Sequence, residues 1–360
     1  MKKISLIDPK NNKKLSNKEL TRFKKFSNIL DLYISDESEL SNIQSNFYND
    51  VKFPNYDDIE DFGTLLDKSR NSIFVNKLDN EIRYHSKVLE AGCGTGQLSI
   101  ALSRYNRKVH SIDLSKGSLI EGKKFIDKNN IKNVQFYRMN IFNLCFPKNY
   151  FDIIISNGVL HHTHNAELAF NKLSEKLKPG GIIIIGLYHK YGRMVQNIRQ
   201  YFIKKFGEKL KFIDKRFAEN ISEKKKYAWF KDQYYNPHET KHTYFEIINW
   251  FIEKTSTFNP DICICITGNY FLKLLAASMS KRSTVGIPAA VSLFTTSASQ
   301  VGSGDPSKNS TLLAIRDVLF ARPSNWERSD LTGVGPTSLF DEVPLSCCAC
   351  TPKERTKHNN

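Results

Sequence analysis

The chain is 360 residues long, carries a formal net charge of +16 and is 40% hydrophobic, which suffices for a sizeable core and for two or three units at about 100–200 residues each. Its seven cysteines, an odd number scattered from 93 to 350, argue against a disulfide framework and for a reducing, cytoplasmic setting. The apolar stretch after Met1-Lys2-Lys3 is too short for a secretory signal, and no run approaches the roughly 18 apolar residues that cross a bilayer.

Residues 1–46 read as a polar, basic N-terminal extension. Phe53-Pro54-Asn55-Tyr56-Asp57-Asp58 follows, a run with turn chemistry expected to pack at the core's edge. From Lys87 onward short apolar runs alternate with amphipathic stretches, the spacing of βαβ units. Strands are expected at Lys87–Ala91, Lys108–Asp113, Val134–Arg138, Phe151–Ser156 and Gly181–Leu187. Ile153-Ile154-Ile155 and Ile182 to Ile185 are unbroken apolar runs, so these strands should be covered on both faces. Helices are expected at Gln97–Arg104, Leu119–Lys128 and Asn165–Leu177. Lys178-Pro179-Gly180-Gly181 should stop the last, because Pro cannot continue a helix and Gly accepts the positive φ of a cap. Together these elements predict an α/β fold over residues 47–190, a doubly wound, mostly parallel, Rossmann-like sheet.

Residues 191–258 read as a helical lid insertion, strongly basic at Lys224-Lys225-Lys226 and aromatic around Trp229, Tyr234 and Tyr235. Beyond about residue 258 the composition changes: lysine falls from 35 in the first 280 residues to 4 in the last 80, and 36 of those 80 are Ser, Thr, Gly, Pro or Ala. Residues 259–360 are therefore expected to form an irregular, partly disordered tail unlike the rest of the chain.

Val88-Leu89-Glu90-Ala91-Gly92-Cys93-Gly94-Thr95-Gly96 is an apolar strand running into a glycine-rich turn. A ligand can approach such a backbone because no Cβ blocks it, and the start of the next helix favours anionic or polar groups. Asp113 ends the next strand, 21 residues after Gly92, where a carboxylate can accept both hydroxyls of a ribose. The competing reading is a tight strand-to-helix turn with Asp113 capping the helix before Ser115. Dinucleotide sites use G-x-G-x-x-G, whereas here the spacing is G-x-G-x-G with Gln97 next. Glu90, two residues before the first glycine, suits a ligand ammonium better than a pyrophosphate.

The segment Glu90 to Gln97 resembles the first motif of class I S-adenosylmethionine-dependent methyltransferases. Phe151 to Thr163 resembles that family's fourth strand and following turn, and Leu177 to Ile185 its fifth-strand motif. The likeness covers about residues 47–258, with Phe53 to Asp58 and Asp232 to Thr243 resembling a bacterial subgroup whose acceptor is generally unassigned. The resemblance implies S-adenosylmethionine as cofactor. Glu90 and the turn Gly92, Gly94, Gly96 and Gln97 would hold its methionine portion, Asp113 its ribose, and Leu114 would pack on adenine. Where the family commonly has an acid for the adenine amino group, this chain has Asn140, followed by Ile141; the amide oxygen is expected to accept instead. Asn157 would line the methionine end. The family normally ends in a hairpin whose last strand inserts antiparallel beside the fifth, for which Ile287–Thr295 is the candidate.

His238-Glu239-Thr240-Lys241-His242 matches H-E-x-x-H, a zinc pattern when it lies on a helix. Pro237 precedes it and Thr243 to Glu246 is a capping box, so both histidines should lie in a loop and no metal is expected. As lid residues His238, His242 and Glu239 are candidates to take the acceptor's proton, against the plainer reading that they bond loop backbone. His161 and His162, being adjacent, point different ways and make a poor metal pair.

The expected activity is methyl transfer to O, N or C of a small-molecule acceptor. Two other readings stay open. One is an NAD-dependent oxidoreductase built on the same Gly92 to Asp113 unit; the other is a non-catalytic basic module binding nucleic acid or anionic lipid through residues 199–231. Peripheral membrane contact is compatible with the charge, and nothing in the sequence assigns an oligomeric state.

Overall fold

The computed structural model describes residues 4–36, 38–214, 217, 222–255, 262–267 and 291–296. All of these lie in the compact unit Met1–Ala321, the second unit being Arg322–Asn360. The described strands are β1 (Lys25–Phe26), β2 (Ile29–Asp31), β3 (Lys87–Ala91), β4 (Lys108–Asp113), β5 (Val134–Arg138), β6 (Phe151–Asn157), β7 (Leu177–Tyr188), β8 (Ile262–Thr267) and β9 (Val291–Thr296). The α-helices are α1 (Asn17–Leu20), α2 (Leu40–Asp50), α3 (Phe62–Asn71), α4 (Ile73–Glu81), α5 (Gln97–Ala101), α6 (Lys116–Lys128), α7 (Ala166–Ser174), α8 (Met194–Phe206), α9 (Glu223–Tyr235) and α10 (Tyr244–Thr255).

One sheet runs in the order β1-β2-β5-β4-β3-β6-β7-β8-β9. Only β1 with β2 is antiparallel. The fold is thus a doubly wound, mostly parallel, Rossmann-like α/β sheet, and β3, β4 and β5 have the bounds expected from the sequence. Alternation along each strand sends successive side chains to opposite faces. Leu89, Ile112, Ile154, Ile183 and Ile185 join a core under Ala169, Phe170 and Leu173 of α7 and Ile247, Trp250 and Phe251 of α10. Val88, Val109, Ile153, Ile155 and Ile184 join another under Leu65, Leu78, Ile100, Leu119 and Phe125.

The chain steps from β3 outward through β4 to β5, then returns to lay β6 on the other side of β3. At such a reversal the loops after adjacent strands diverge and leave room for a ligand at the carboxyl ends.

Three expectations need correction. The helix expected to reach Leu177 stops at Ser174, and β7 already begins at Leu177. Leu177 is buried and pairs with Phe151, whereas the next register pair is Ile153 with Ile182. Lys178-Pro179-Gly180-Gly181 is therefore an irregularity within the strand, its Gly180 at φ 72°, and not a helix stop. The N-terminal extension contributes Ile4, Leu6 and Leu32 to the core, and β2 pairs with β5 as an extra sheet strand. Finally, the place beside β7 is taken by β8, which is parallel, and β9 pairs parallel with β8. Helices α8 to α10 intervene between β7 and β8, so the connection is long enough for the crossover that a parallel neighbour requires. The rest of the expected tail lies outside the described residues.

Candidate active site

The glycine turn connects β3 to α5, and all three glycines adopt positive φ, 77° at Gly92, 55° at Gly94 and 81° at Gly96. Each is also crowded. A Cβ on Gly94 would stand 2.1 Å from the Phe53 carbonyl oxygen, and one on Gly96 would stand 2.5 Å from the Phe136 ring. The group pressed against Gly94 is the chain's own Phe53 to Tyr56 segment. Thr95 Oγ1 donates to the Pro54 carbonyl, Gln97 Nε2 donates to Asn55 O at 2.6 Å, and Tyr56 OH donates to Thr95 O at 2.9 Å. Gln97, expected at the ligand, thus has its amide nitrogen turned to this strap. The strap is a part of the site that sequence reasoning placed only at the core's edge, and its Phe-Pro-Asn-Tyr motif was the available signal.

Asp113, at the end of β4, faces the turn across the switch point. Its Oδ2 accepts from Gly94 N and its Oδ1 from Ser115 N, both at 2.8 Å. Burial raises its pKa, and those backbone donors oppose the rise. The helix cap proper is Ser115, whose hydroxyl accepts from Ser118 N, so Asp113 bridges turn and helix. Glu90 lies one strand over, buried, accepting from Ser99 Oγ. Burial pushes its pKa up to about 8, with Asp113 adding repulsion and Ser99 opposing. Among the described residues no cation pairs with this acid, and an ammonium group would supply that complement.

Asn140, after β5, is buried, and its Oδ1 accepts from Phe142 N at 3.0 Å. The expected acceptor oxygen is therefore engaged, and the buried group without a partner is Nδ2, a donor. It suits a ring nitrogen of adenine better than the amino group. Ile141 packs its side chain into the core, and Leu114 is half-buried with its carbonyl accepting from Arg138 Nε and Ser45 Oγ. Asn157 ends β6 opposite Gly186, where its Oδ1 would stand 2.0 Å from any added Cβ. Glu90, the turn, Asp113, Leu114, Asn140 and Asn157 thus gather at the carboxyl ends of four neighbouring strands.

The histidine loop covers the same end. His238, Glu239 and His242 lie outside any helix, and Thr243 and Glu246 form the expected reciprocal cap ahead of α10. Glu239 is held by Arg193 at 2.9 Å and Lys241 at 3.1 Å. His242 Nε2 meets Thr240 Oγ1 at 2.9 Å, and its backbone bonds to Tyr188 and Lys190. Both candidates are therefore engaged in holding the loop, in line with the plainer reading. His238 differs: its Nε2 is buried without a partner, and burial, with His162 adding, lowers its pKa. Its carbonyl accepts from His162 Nδ1 at 2.8 Å, which assigns His162 to the loop's support. His161 is fully buried against the Tyr188 ring, with its pKa driven far down by burial.

Beneath this loop runs a buried polar chain that sequence reasoning missed. Tyr48 OH donates to Asp232 at 2.6 Å, Gln233 Nε2 donates to Asp232 and to Tyr188 OH, each at 2.9 Å, and Arg193 donates to Gln233 Oε1 at 2.7 Å. The guanidinium also lies 3.7 Å over the Tyr188 ring. It ties α2, β7, α8 and α9 into one cover. Among the described residues no group of three or more His, Cys, Asp or Glu is disposed to hold a metal ion.

Residues 82–242 match a family model described as a methyltransferase domain. An uncharacterized methyltransferase of Bacillus subtilis, YcgJ, is 28% identical over 29% of this chain and 42% of its own length. A demethylmenaquinone methyltransferase of Bacillus mycoides is 26% identical over 42% of this chain and 63% of its own. A ubiquinone/menaquinone biosynthesis C-methyltransferase of Vibrio vulnificus is 34% identical over 28% of this chain and 40% of its own. In every case less than two thirds of the relative is spanned. The crystal structure of the B. subtilis protein superposes with a TM-score of 0.37 at 17% identity, covering 50% of this chain and 67% of that one.

Proposed function

We propose that residues 82–242, which match a methyltransferase-domain model, are a class I S-adenosylmethionine-dependent methyltransferase domain, and that the chain transfers a methyl group from S-adenosylmethionine to O, N or C of a small-molecule acceptor in the cytoplasm. The observation that carries this reading is the pairing across the switch point, where the Asp113 carboxylate meets the Gly94 N–H beside a buried Glu90 that pairs with no cation among the described residues. Glu90 would face the ammonium, Asp113 the ribose hydroxyls, Asn140 Nδ2 a ring nitrogen of adenine, and the Asn157 loop the methionine end. The cofactor supplies an electrophilic methyl group. What remains for the protein is to orient the nucleophile, exclude water and accept a proton.

For the last task His238 is the best placed of the three residues singled out by the sequence. The imidazole is half-buried, its pKa is lowered by burial against an opposing hydrogen bond to the Thr163 backbone, and its Nε2 has no partner among the described residues, so it can accept. No observation favours the oxidoreductase reading, since Gln97 stands at the end of the turn with its amide bound to Asn55. The test is calorimetry with S-adenosylmethionine and S-adenosylhomocysteine, followed by incubation of the protein with methyl-labelled cofactor and fractionated cell extract. Binding and a labelled product are expected; absence of any binding refutes the proposal.

A further inference from the structure

Helix α8 has a buried side and an apolar outer side, which is unusual for a surface helix. Gln196 and Ile203 are buried, and Ile203 packs with Phe230 and Tyr234 of α9. On the opposite side Met194, Val195, Ile198, Tyr201, Phe202 and Phe206 are between 41% and 58% exposed. At 100° per residue these six span an arc of roughly 140°, within which Lys205 also falls, its Nζ 5.5 Å over the Tyr201 and Phe206 rings. Phe212, in the turn after the helix, is 73% exposed. An exposed contiguous apolar face marks a surface built to be covered.

Its chemistry selects the cover. Lys204 and Lys205 of α8 and Lys209 and Lys211 in the turn that follows are exposed and form no ion pair among the described residues. Residues 190–231 hold 13 Lys or Arg against 4 Asp or Glu. A second copy of the chain would bring the same cations against these ones, which opposes a symmetric apolar interface. Nucleic acid would satisfy the lysines but leave Met194, Val195 and Ile198 without an apolar partner. A bilayer containing anionic lipid satisfies both, with the apolar arc in the acyl boundary and the lysines at the headgroups.

Going beyond methyl transfer, we infer that the outer face of α8 docks on an anionic lipid surface. The described helices include none long and apolar enough to cross a membrane, so the contact is peripheral. The face lies outside the residues assigned to the cofactor.

The experiment is flotation of the full chain with phosphatidylcholine vesicles and with vesicles of phosphatidylcholine and phosphatidylglycerol. The protein is expected to float with the anionic vesicles only, and raised salt should weaken the binding. Ile198→Asp/Phe202→Asp should reduce binding at least about tenfold, and Lys204→Gln/Lys205→Gln should reduce it less. Both variants replace exposed side chains, so unchanged circular dichroism and unchanged S-adenosylhomocysteine binding are expected and separate this inference from the enzymatic one. The inference is overturned if wild type ignores anionic vesicles, if the Asp variant floats as wild type does, or if sedimentation shows a dimer that the Asp variant splits.

Discussion

A carboxyl group taken out of water without a cation holds its proton, and at Glu90 burial moves the pKa from 4.5 to about 8. Between those values the folded chain carries a proton that the unfolded chain has released. Stability of the ligand-free protein therefore falls as pH rises through that window, by up to about 1.4 kcal/mol per pH unit. Glu90→Gln cannot ionise and should flatten the profile, which thermal melts across the window will read directly. A ligand ammonium reverses the balance. Binding of S-adenosylhomocysteine near neutral pH should then expel a proton, visible as a calorimetric enthalpy that changes with the buffer's ionisation heat. If wild type and Glu90→Gln behave alike in both measurements, Glu90 does not face the ammonium.

Asp113 carries a second prediction at this scale. Its carboxylate already orders Gly94 and Ser115 through two backbone donors, and hydrogen bonds to a charged group contribute about 1.5–3 kcal/mol. Asp113→Ala loses those bonds together with the proposed ribose contact, so affinity for S-adenosylhomocysteine should fall at least about thirtyfold by calorimetry. An affinity within about twofold of wild type would leave Asp113 as a turn brace alone.

At the scale of elements the glycine turn is defined as much by the strap from Phe53 to Tyr56 as by its own residues. Gly94 and Gly180 both have positive φ, but a Cβ meets the Phe53 carbonyl at the first and nothing within 4 Å at the second. Both alanine variants incur the left-handed penalty of about 1–2 kcal/mol, and only Gly94→Ala must also displace backbone. Urea unfolding should show Gly180→Ala losing about that penalty and Gly94→Ala clearly more, with the latter also losing cofactor binding. The cover has its own weak point in Arg193, whose buried guanidinium holds Gln233 and Glu239. Removing one partner of a buried pair costs up to about 3–5 kcal/mol when the other charge is left alone, and the cost here is smaller because Lys241 still pairs with Glu239. Arg193→Ala should unfold at lower urea, and adding Glu239→Gln should restore part of the loss.

These contacts also mark how far the sequence can be read. Ile153 to Ile155 and Ile182 to Ile185 announce buried parallel strands by composition alone, and the spacing from Gly92 to Asp113 places a turn and an acid at adjacent strand ends. The strap against Gly94 leaves no such trace, since Phe53 and Gly94 meet through tertiary packing that no period encodes. Side-chain direction is equally silent: whether the Gln97 amide meets a ligand or the Asn55 carbonyl, and which end of Asn140 stays free, depends on backbone groups brought there by folding. The His238 to His242 loop was legible because Pro237 and the Thr243 cap are local signals.

For the molecule as a whole the question is what protects the far edge of the sheet. β7 is a long strand whose Ile183 and Ile185 belong to one core face and Ile184 to the other, so its edge cannot be left open without exposing ladder groups next to apolar surface. In the structure β8 pairs along Ile184 to Tyr188, and β9 pairs along β8. Both strands belong to the region whose composition departs from the rest of the chain, so its contribution to the sheet is open to a direct test. Ending the chain after residue 258 removes them and uncovers β7. The truncated protein should melt at lower temperature and self-associate through the freed edge, detected as concentration-dependent species in sedimentation velocity. A truncated chain that stays monomeric with an unchanged melt would mean that β8 and β9 add nothing to the sheet's stability, and that α10 packed on Phe170 is sufficient cover for this side of the core.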